Sequence, residues 1–193
     1  MVEAMVLRID RRLLDYQAFY CEENVWRLLA REELDGRRAW AVIVSSQSGH
    51  FVALRQKAGR HADGLVCWDY HVFAVVDDAG GTRLALDLDS DLPFPCPLGR
   101  YLDESFPSRA PVPPHFRLVD AAEYLAGLVS DRSHMRSPDG SYTAPPPPWP
   151  APGGDKPTTF LSWTDISSTS PGTLYDLSQM SAFAGGKIGH GRG

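Results

Sequence analysis

Three side chains in this chain of 193 residues could together carry out nucleophilic catalysis: Cys21, His71 and Asp87. A cysteine attacks a carbonyl carbon when a histidine takes its proton, and a carboxylate on the other ring nitrogen sets the histidine's tautomer. Taken singly, each has an ordinary explanation: Cys21 as a small buried hydrophobe, His71 as a hydrogen-bonded sheet residue, and Asp87 as a solvated strand end. The elements that carry them decide whether they can meet.

Cys21 precedes a segment with the spacing of an amphipathic helix. Apolar residues recur between charged ones in 25–29, and the pattern predicts a helix that ends near Asp35. Cys21 then lies in the first turn, where unpaired backbone N–H groups and the helix dipole favour a thiolate, the form of cysteine that attacks carbon.

His71 and Asp87 fall on two predicted strands joined by a turn. Residues 66–76 are rich in β-branched and aromatic types, 77–81 form a turn cluster, and 83–89 alternate apolar with polar residues. If the turn is centred on its middle residue, His71 and Asp87 lie directly opposite each other, with Cβ atoms roughly 4.5 to 5.5 Å apart. A turn shorter by one residue would instead place Asp87 on the other face.

Several short words occur in a fixed order along the chain. They are YCEENVW at 20–26, WDYHV at 68–72, DLD followed by LPFPC within 87–96, SDRSHM at 130–135 and PPPPWP at 145–150. Several ungapped words in order are far more specific than one short motif. Over almost the whole chain they resemble the protein N-terminal glutamine amidohydrolase family, also called the WDYHV family.

The resemblance implies roles for the three residues and a fold. Cys21 would be the nucleophile, His71 the general base and acid, and Asp87 the residue that orients His71. The fold would be α+β, of the transglutaminase/papain-like cysteine hydrolase type, with an antiparallel sheet and a nucleophile-bearing helix. The reaction would convert an N-terminal glutamine of a protein or peptide to glutamate with release of ammonia, which in eukaryotes feeds the arginylation branch of the N-degron pathway.

A pocket that requires a free α-ammonium group should offer a carboxylate at its closed end. Asp69, Asp89 and Asp131 are the carboxylates nearest to the shared words, and His134 is a candidate because it lies within one of them. In the predicted register Asp69 opposes Asp89, and two like charges at that distance are unfavourable unless a cation lies between them or one is protonated.

An alternative explanation needs no substrate. One carboxylate of the Asp69 and Asp89 pair could instead bind Arg132 or Arg100, which would make it a structural ion pair. The sequence leaves the two interpretations equally open.

Composition limits the function classes. The chain is 43% hydrophobic and 22% charged, which suffices for a core without disulfides or metals, and we expect one catalytic domain over 1–193. A net charge of −5 argues against nucleic-acid or anionic-membrane partners. No apolar run is long enough to span a membrane, and early charges in Met1–Asp10 are unlike a signal peptide. We expect a cytoplasmic monomer, also nuclear if the source is a eukaryote.

Two further expectations concern cofactors and the proline-rich segment. No Cys/His spacing matches a zinc site, and no glycine-rich loop joins a strand to a helix, so we expect no metal and no cofactor. Residues 137–157 are rich in proline and glycine, and we expect a strap packed on the domain surface, with Trp149 and Trp163 as anchors.

Two rival functions remain open at this point. One is another cysteine acyl-transfer reaction, by a peptidase or a transglutaminase-like amide exchanger. The other is a catalytically inactive module that binds protein N-termini, in which Cys21 would have no special reactivity.

Overall fold

The structure, a computed structural model, describes residues 7–154 and 156–186. The strands are β1 (Ala39–Ser45), β2 (Phe51–Ala53), β3 (Val66–Trp68), β4 (His71–Asp77), β5 (Arg83–Leu86), β6 (Cys96–Pro97), β7 (His115–Asp120) and β8 (Thr173–Asp176). The helices are α1 (Cys21–Leu29), α2 (Leu98–Ser105), α3 (Ala121–Gly127), α4 (Phe160–Trp163) and α5 (Leu177–Ala184). Residues 1–6, which include most of the stretch considered for a signal peptide, lie outside the described residues.

Six strands form one antiparallel sheet in the order β6-β5-β4-β1-β7-β8. All seven residues of the central strand β1 are buried, because helices cover both faces of the sheet. Side chains alternate along a strand, so Ala41 and Ile43 pack towards α1 and α3, whereas Trp40 and Val42 pack towards α2 and α5. The architecture is therefore α+β with a large antiparallel sheet, as the sequence predicts.

Helix α1 begins at Cys21, as predicted, but ends at Leu29 rather than near Asp35. The chain becomes extended at Arg31, and a short 3-10 helix, Glu32–Leu34, then turns Leu34 into the core. Leu34 is therefore buried through a separate turn. In the sequence, its spacing from the apolar residues of α1 looks like a continuation of the helix.

The predicted strand at 66–76 is broken in two. Strand β3 ends at Trp68 and β4 starts at His71, and the Tyr70 backbone N–H turns back to the Asp69 side chain at 2.9 Å. Strands β2 and β3 form a separate two-stranded sheet, so β2 does not pair with β1 although it follows β1 in the chain. The break allows β4 to enter the core between β1 and β5.

The predicted hairpin register is wrong by one pair. The last pair of the ladder is Asp77 with Arg83, so the loop is Asp78–Thr82, one residue later than the predicted turn at 77–81. A hydrogen bond from the Asp78 N–H to the Thr82 carbonyl at 2.8 Å closes the loop. Gly81 takes the positive φ of 78° that this loop needs. Because a shift by a full pair keeps each side chain on its face, the error does not turn Asp87 away from His71.

The segment 137–157 contains no helix and no extended strand among its described residues, which omit Asp155. Trp149 in this segment donates its indole N–H to Glu23 of α1 at 2.9 Å. Trp163, beyond it, is buried against Tyr124 with ring centroids 5.8 Å apart. Within 7–154 and 156–186, none of the helices has the length and apolar character that crossing a membrane requires.

Candidate active site

Cys21 lies at the start of α1, against strand β4. It is buried, with 7% of its surface exposed, and the backbone N–H of Val72 donates to its sulfur. The N-cap residue Tyr20 makes no side-chain hydrogen bond to the first helical turn. Backbone N–H groups at a helix start have no partner within the helix, so they are available to an anionic group bound beside the sulfur.

The surroundings of Cys21 favour the neutral thiol. Burial raises the pKa of Cys21 well above its ordinary value, the charges of Glu22 and Asp89 raise it further, and only the Val72 N–H opposes them. Burial and the nearby carboxylates thus act against the thiolate that the helix start alone would favour.

His71 is fully buried at the first position of β4. Its Nε2 lies 3.1 Å from Oδ2 of Asp87, and its ring stacks on Trp68 with centroids 5.6 Å apart and an interplanar angle of 15°. Its Nδ1 is buried and has no hydrogen-bond partner among the described residues. Because Nε2 is occupied by the carboxylate, Nδ1 is the nitrogen available to exchange a proton with a thiol or a substrate.

Asp87 follows directly after β5, where the chain leaves the sheet. Its Oδ2 accepts a hydrogen bond from the Tyr101 hydroxyl of α2 at 2.8 Å in addition to the contact with His71. Its Oδ1 accepts the backbone N–H of Asp89 at 2.9 Å. Three donors from three parts of the chain hold the carboxylate, so its position does not depend on direct pairing across the hairpin.

The pKa values of the pair shift in opposite directions. Burial opposes the charged form of His71, but the charge and hydrogen bond of Asp87 outweigh it and raise the pKa of His71. Burial would likewise raise the pKa of Asp87, yet the charge and hydrogen bond of His71 outweigh it and lower that pKa. Each partner therefore stabilises the charged form of the other, as expected for a buried imidazole-carboxylate pair.

A pocket of about 110 Å³ opens beside Cys21. Three of the four residues predicted to bind substrate lie in its wall: Asp69, Asp89 and His134. The rest of the wall is mostly aromatic or apolar, and consists of Phe19, Trp68, Tyr70 and Met135. The pocket thus combines an apolar wall with carboxylates next to a buried thiol.

The fourth predicted residue, Asp131, lies elsewhere. Its side chain is exposed, accepts the backbone N–H of Ser133 at 2.9 Å, and lines a different depression together with Arg132. Its hydrogen bonds to Ser133 lower its pKa. In this position Asp131 binds the first N–H of the short 3-10 helix Ser133–Met135 and does not line the pocket beside Cys21.

Asp69 and Asp89 line the same pocket but do not face each other across the β4–β5 ladder, in which Ala74 and Leu86 are the pair nearest to them. Asp69 is exposed, whereas Asp89 is 6% exposed and accepts the Tyr16 hydroxyl at 2.6 Å. Burial and the charge of Asp87 raise the pKa of Asp89.

The ion-pair alternative for these two carboxylates is wrong, because both arginines bind other partners. Arg132 binds Glu23, with Nε and Oε1 2.6 Å apart, and Arg100 binds Glu104.

Glu22, which was not predicted as a site residue, is fully buried and contacts two residues of the pocket wall, Tyr70 and His134. Its carboxylate accepts hydrogen bonds from Tyr70 at 3.3 Å and Ser130 at 3.4 Å, and lies 3.4 Å from Nε2 of His134. Burial lowers the pKa of His134, but its hydrogen bond to Glu22 and that carboxylate's charge outweigh it and raise the value. A charged residue next to a helix start usually lies on a solvated face. Only its place in the YCEENVW word therefore indicated a role for Glu22.

The next two residues of the YCEENVW word, Glu23 and Asn24, hold helix α1 in place. Glu23 is fully buried in a bidentate ion pair with Arg132, in which Nε lies 2.6 Å from Oε1 and Nη2 lies 2.7 Å from Oε2. Asn24 accepts the Gln17 backbone N–H and donates to the Gln17 carbonyl, each at 2.8 Å. Contacts of Glu23 and Asn24 therefore hold both the segment before α1 and the proline-rich segment against this helix.

One group of donor atoms among the described residues is close enough to hold a metal ion. The ligand atoms of His71, Asp87 and Asp89 lie within 4.8 Å of one another. The carboxylates already accept hydrogen bonds from Tyr101 and Tyr16, respectively, and His71 binds Asp87 through Nε2. These contacts suit a hydrogen-bonded pair as well as a metal, and the expectation of no cofactor stays a prediction.

Comparison with known proteins finds a matching family and several similar sequences. Residues 16–184 match the profile of a family described as N-terminal glutamine amidase. The chain is 38% identical over 184 residues to the Protein N-terminal glutamine amidohydrolase of Drosophila ananassae, with 85% of each chain covered. It is 40% identical over 176 residues to that of Drosophila grimshawi, again with 85% of each covered. For the Drosophila erecta protein of the same name the identity is 43% over 145 residues, covering 70% of each chain.

Proposed function

Because the chain belongs to the N-terminal glutamine amidase family, we propose that it hydrolyses the side-chain amide of an N-terminal glutamine in proteins or peptides, yielding glutamate and ammonia. One observation carries the chemical part of the proposal. His71 is bound to Asp87 through Nε2 at 3.1 Å while its buried Nδ1 has no partner among the described residues, and Cys21 lies beside the next residue of the same strand.

In the first step, Cys21 attacks the carboxamide carbon of the substrate. Since burial and carboxylates keep the thiol protonated, the proton moves from sulfur to Nδ1 of His71 as the sulfur–carbon bond forms. Asp87 stabilises the resulting imidazolium and holds its tautomer. The oxyanion accepts hydrogen bonds from backbone N–H groups at the start of α1, including that of Cys21.

In the second half of the reaction, His71 returns the proton to the nitrogen of the carboxamide. The carbon–nitrogen bond breaks, ammonia leaves, and a thioester remains on Cys21. Water then loses a proton to His71 and attacks the thioester carbon. The sulfur–carbon bond breaks, the thiol regains its proton, and glutamate is released.

The pocket supports selection of an N-terminal residue. Its volume of about 110 Å³ suits one unbranched side chain, and Asp69 and Asp89 provide carboxylates for an α-ammonium group. Tyr16 occupies Oδ1 of Asp89, which leaves Oδ2 for the substrate. Acetylation would replace the ammonium with a bulkier neutral group and leave a recognising carboxylate without its cation. His134 completes the proposed binding set, and Asp131 would act only indirectly through the loop it shares with His134.

The arrangement of the elements supports the transglutaminase/papain-like fold type. The nucleophile begins a helix, that helix packs on an antiparallel sheet, and the histidine and aspartate come from the start of β4 and the end of β5. This likeness is one of architecture and does not by itself assign chemistry.

The test compares a Gln-initiated peptide with its acetylated form and with a peptide carrying glutamine internally. We expect ammonia release and the mass change from amide to acid with the first peptide alone, and loss of at least about 90% of the rate in Cys21→Ser and His71→Ala. An N-terminal Asn peptide should be slower by on the order of 100-fold, because its carboxamide stops about one bond short.

Other outcomes would favour the rival functions. Equal rates on acetylated or internal glutamine would leave a general glutamine deamidase, and product coupled to an added primary amine would indicate a transglutaminase-like exchanger. Backbone cleavage would indicate a peptidase. No turnover, with iodoacetamide labelling Cys21 no faster than Cys67 or Cys96, would indicate an inactive binding module.

A further inference from the structure

Arg11 precedes the stretch 16–184 that matches the family, and nothing in the proposed mechanism uses it. Its side chain nevertheless reaches the segment 87–90, which carries Asp87 and Asp89. Its Nη2 lies within hydrogen-bond distance of the backbone carbonyls of Asp87 at 3.2 Å and Ser90 at 2.7 Å, and also of Leu88, so its two N–H groups are shared among three acceptors. One guanidinium thus contacts three carbonyls of the segment 87–90, which carries both carboxylates.

The N-terminal stretch that carries Arg11 is fixed in this position. Asp10 accepts the Arg12 backbone N–H at 3.0 Å and caps the short 3-10 helix Arg11–Leu13. The Arg11 guanidinium also lies over the ring of Phe94, 5.4 Å from its centroid. Tyr16, a few residues later, donates to Asp89 at 2.6 Å. The N-terminal stretch therefore contacts the segment 87–90 through two side chains, Arg11 and Tyr16.

The charges around Arg11 are predominantly acidic. Burial lowers its pKa, and the carboxylates of Asp87, Asp89 and Asp91 act against that effect, as does Tyr16. By reciprocity its positive charge favours ionised Asp87 and Asp89. Because Arg11 contacts the backbone of Asp87, whose carboxylate binds His71, its charge also opposes a second cation at that imidazole. In the part of the chain that the structure describes, the other titratable groups that face these three residues include Lys57 beside Asp89, Tyr101 of α2 beside Asp87, and Cys21 of α1.

We infer that Arg11 is a positioning residue of the active site, which fixes the turn carrying Asp87 and Asp89 and balances the charge of the two carboxylates. The inference rests on the proposed function, because the rate it affects is that of glutamine deamidation. Arg11 acts through the loop and through Asp87 on His71, without touching the substrate.

Replacement of Arg11 by methionine keeps an unbranched chain of similar length and removes the charge and all donors. We expect Arg11→Met to lower kcat on the order of 10- to 100-fold, as a small misplacement of the catalytic carboxylate would. Without the cation the imidazolium of His71 becomes more stable. Activity needs neutral His71, so the acid limb of the kcat profile should move to higher pH.

Two matched variants separate positioning from a loss of folding. Arg11→Lys keeps the charge but not the planar fork, so we expect a smaller loss of kcat with the acid limb close to that of the wild type. Arg12→Met removes the neighbouring arginine, which is exposed and pairs only with Asp10 among the described residues, and should leave both readouts unchanged.

A substrate-free measurement distinguishes failure of this inference from failure of the proposed function. An NMR titration of the His71 imidazole, identified by its absence in His71→Asn, should show a higher pKa in Arg11→Met than in the wild type or in Arg12→Met. An unchanged His71 pKa and acid limb in Arg11→Met would overturn the inference, even if kcat fell. Equal losses in Arg11→Lys and Arg11→Met, with no pH shift in either, would also overturn it.

Discussion

Asp87 and Asp89 are both buried and lie two residues apart, but their partners differ. Asp87 binds His71 and Tyr101, whereas Asp89 binds Tyr16 and lines the pocket. The first set of contacts can act on the chemical step, and the second can act on substrate binding. Two substitutions of the same kind therefore separate the roles.

We expect Asp87→Asn to lower kcat by orders of magnitude, because an amide would leave His71 in the wrong tautomer. Asp89→Asn should act mainly on KM, since the amide cannot balance an α-ammonium group. Steady-state kinetics on a Gln-initiated peptide measure both. A larger kcat defect for Asp89→Asn would reverse the assignment of the two carboxylates.

At the scale of single residues, the sequence predicted the positions of the site side chains better than their protonation states. Cys21 at a helix start and His71 near Asp87 follow from local patterns, because each depends on one element or one hairpin. The raised pKa of Cys21 depends on burial and on Glu22, whose carboxylate lies 3.9 Å from the sulfur. No local pattern reports how far a helix end is desolvated.

At the scale of elements, periodicity identified the helices and strands but not all of their partners. The central strand β1 is an unbroken apolar run, which is the pattern of a strand covered on both faces. The break between β3 and β4 was not predicted, because 66–76 has one continuous strand-like composition. The hairpin register was wrong because the loop begins at Asp78 rather than Asp77, a difference that turn composition alone does not resolve.

The ion pair between Arg132 and Glu23 joins two elements that are far apart in sequence. Both side chains are largely buried, with 11% and 0% exposed. Arg132→Ala would leave Glu23 buried without its cation, and we expect it to lower the free energy of unfolding by about 3 to 5 kcal/mol. Urea denaturation measures the loss.

The exposed pair of Arg31 and Glu33 is a matched control with the same N–O distance of 2.6 Å. Arg31→Ala should change the free energy of unfolding by no more than about 1 kcal/mol. If the two variants lose equal stability, the buried ion pair between Glu23 of α1 and Arg132 has no special role in stabilising the fold.

For the whole molecule, the two apolar clusters share one sheet. One cluster packs against α1 and α3, the other against α2 and α5, and β1, β4 and β7 contribute to both. We expect the layers to unfold together, so far-UV and near-UV circular dichroism should give coincident urea transitions. Two separated transitions would mean that the layers fold independently and that one catalytic domain over 1–193 is the wrong description.

The stacking of Trp68 on His71 has an optical consequence. An imidazolium accepts an electron from an excited indole, and a parallel stack with centroids 5.6 Å apart is close enough for such quenching. Protonation of His71 should therefore dim the emission of Trp68, with a midpoint above the ordinary histidine pKa because Asp87 raises that of His71. A titration in which Trp68→Phe retains the whole pH-dependent change would assign the signal to another tryptophan. Otherwise the protein carries its own fluorescent indicator of the charge on His71.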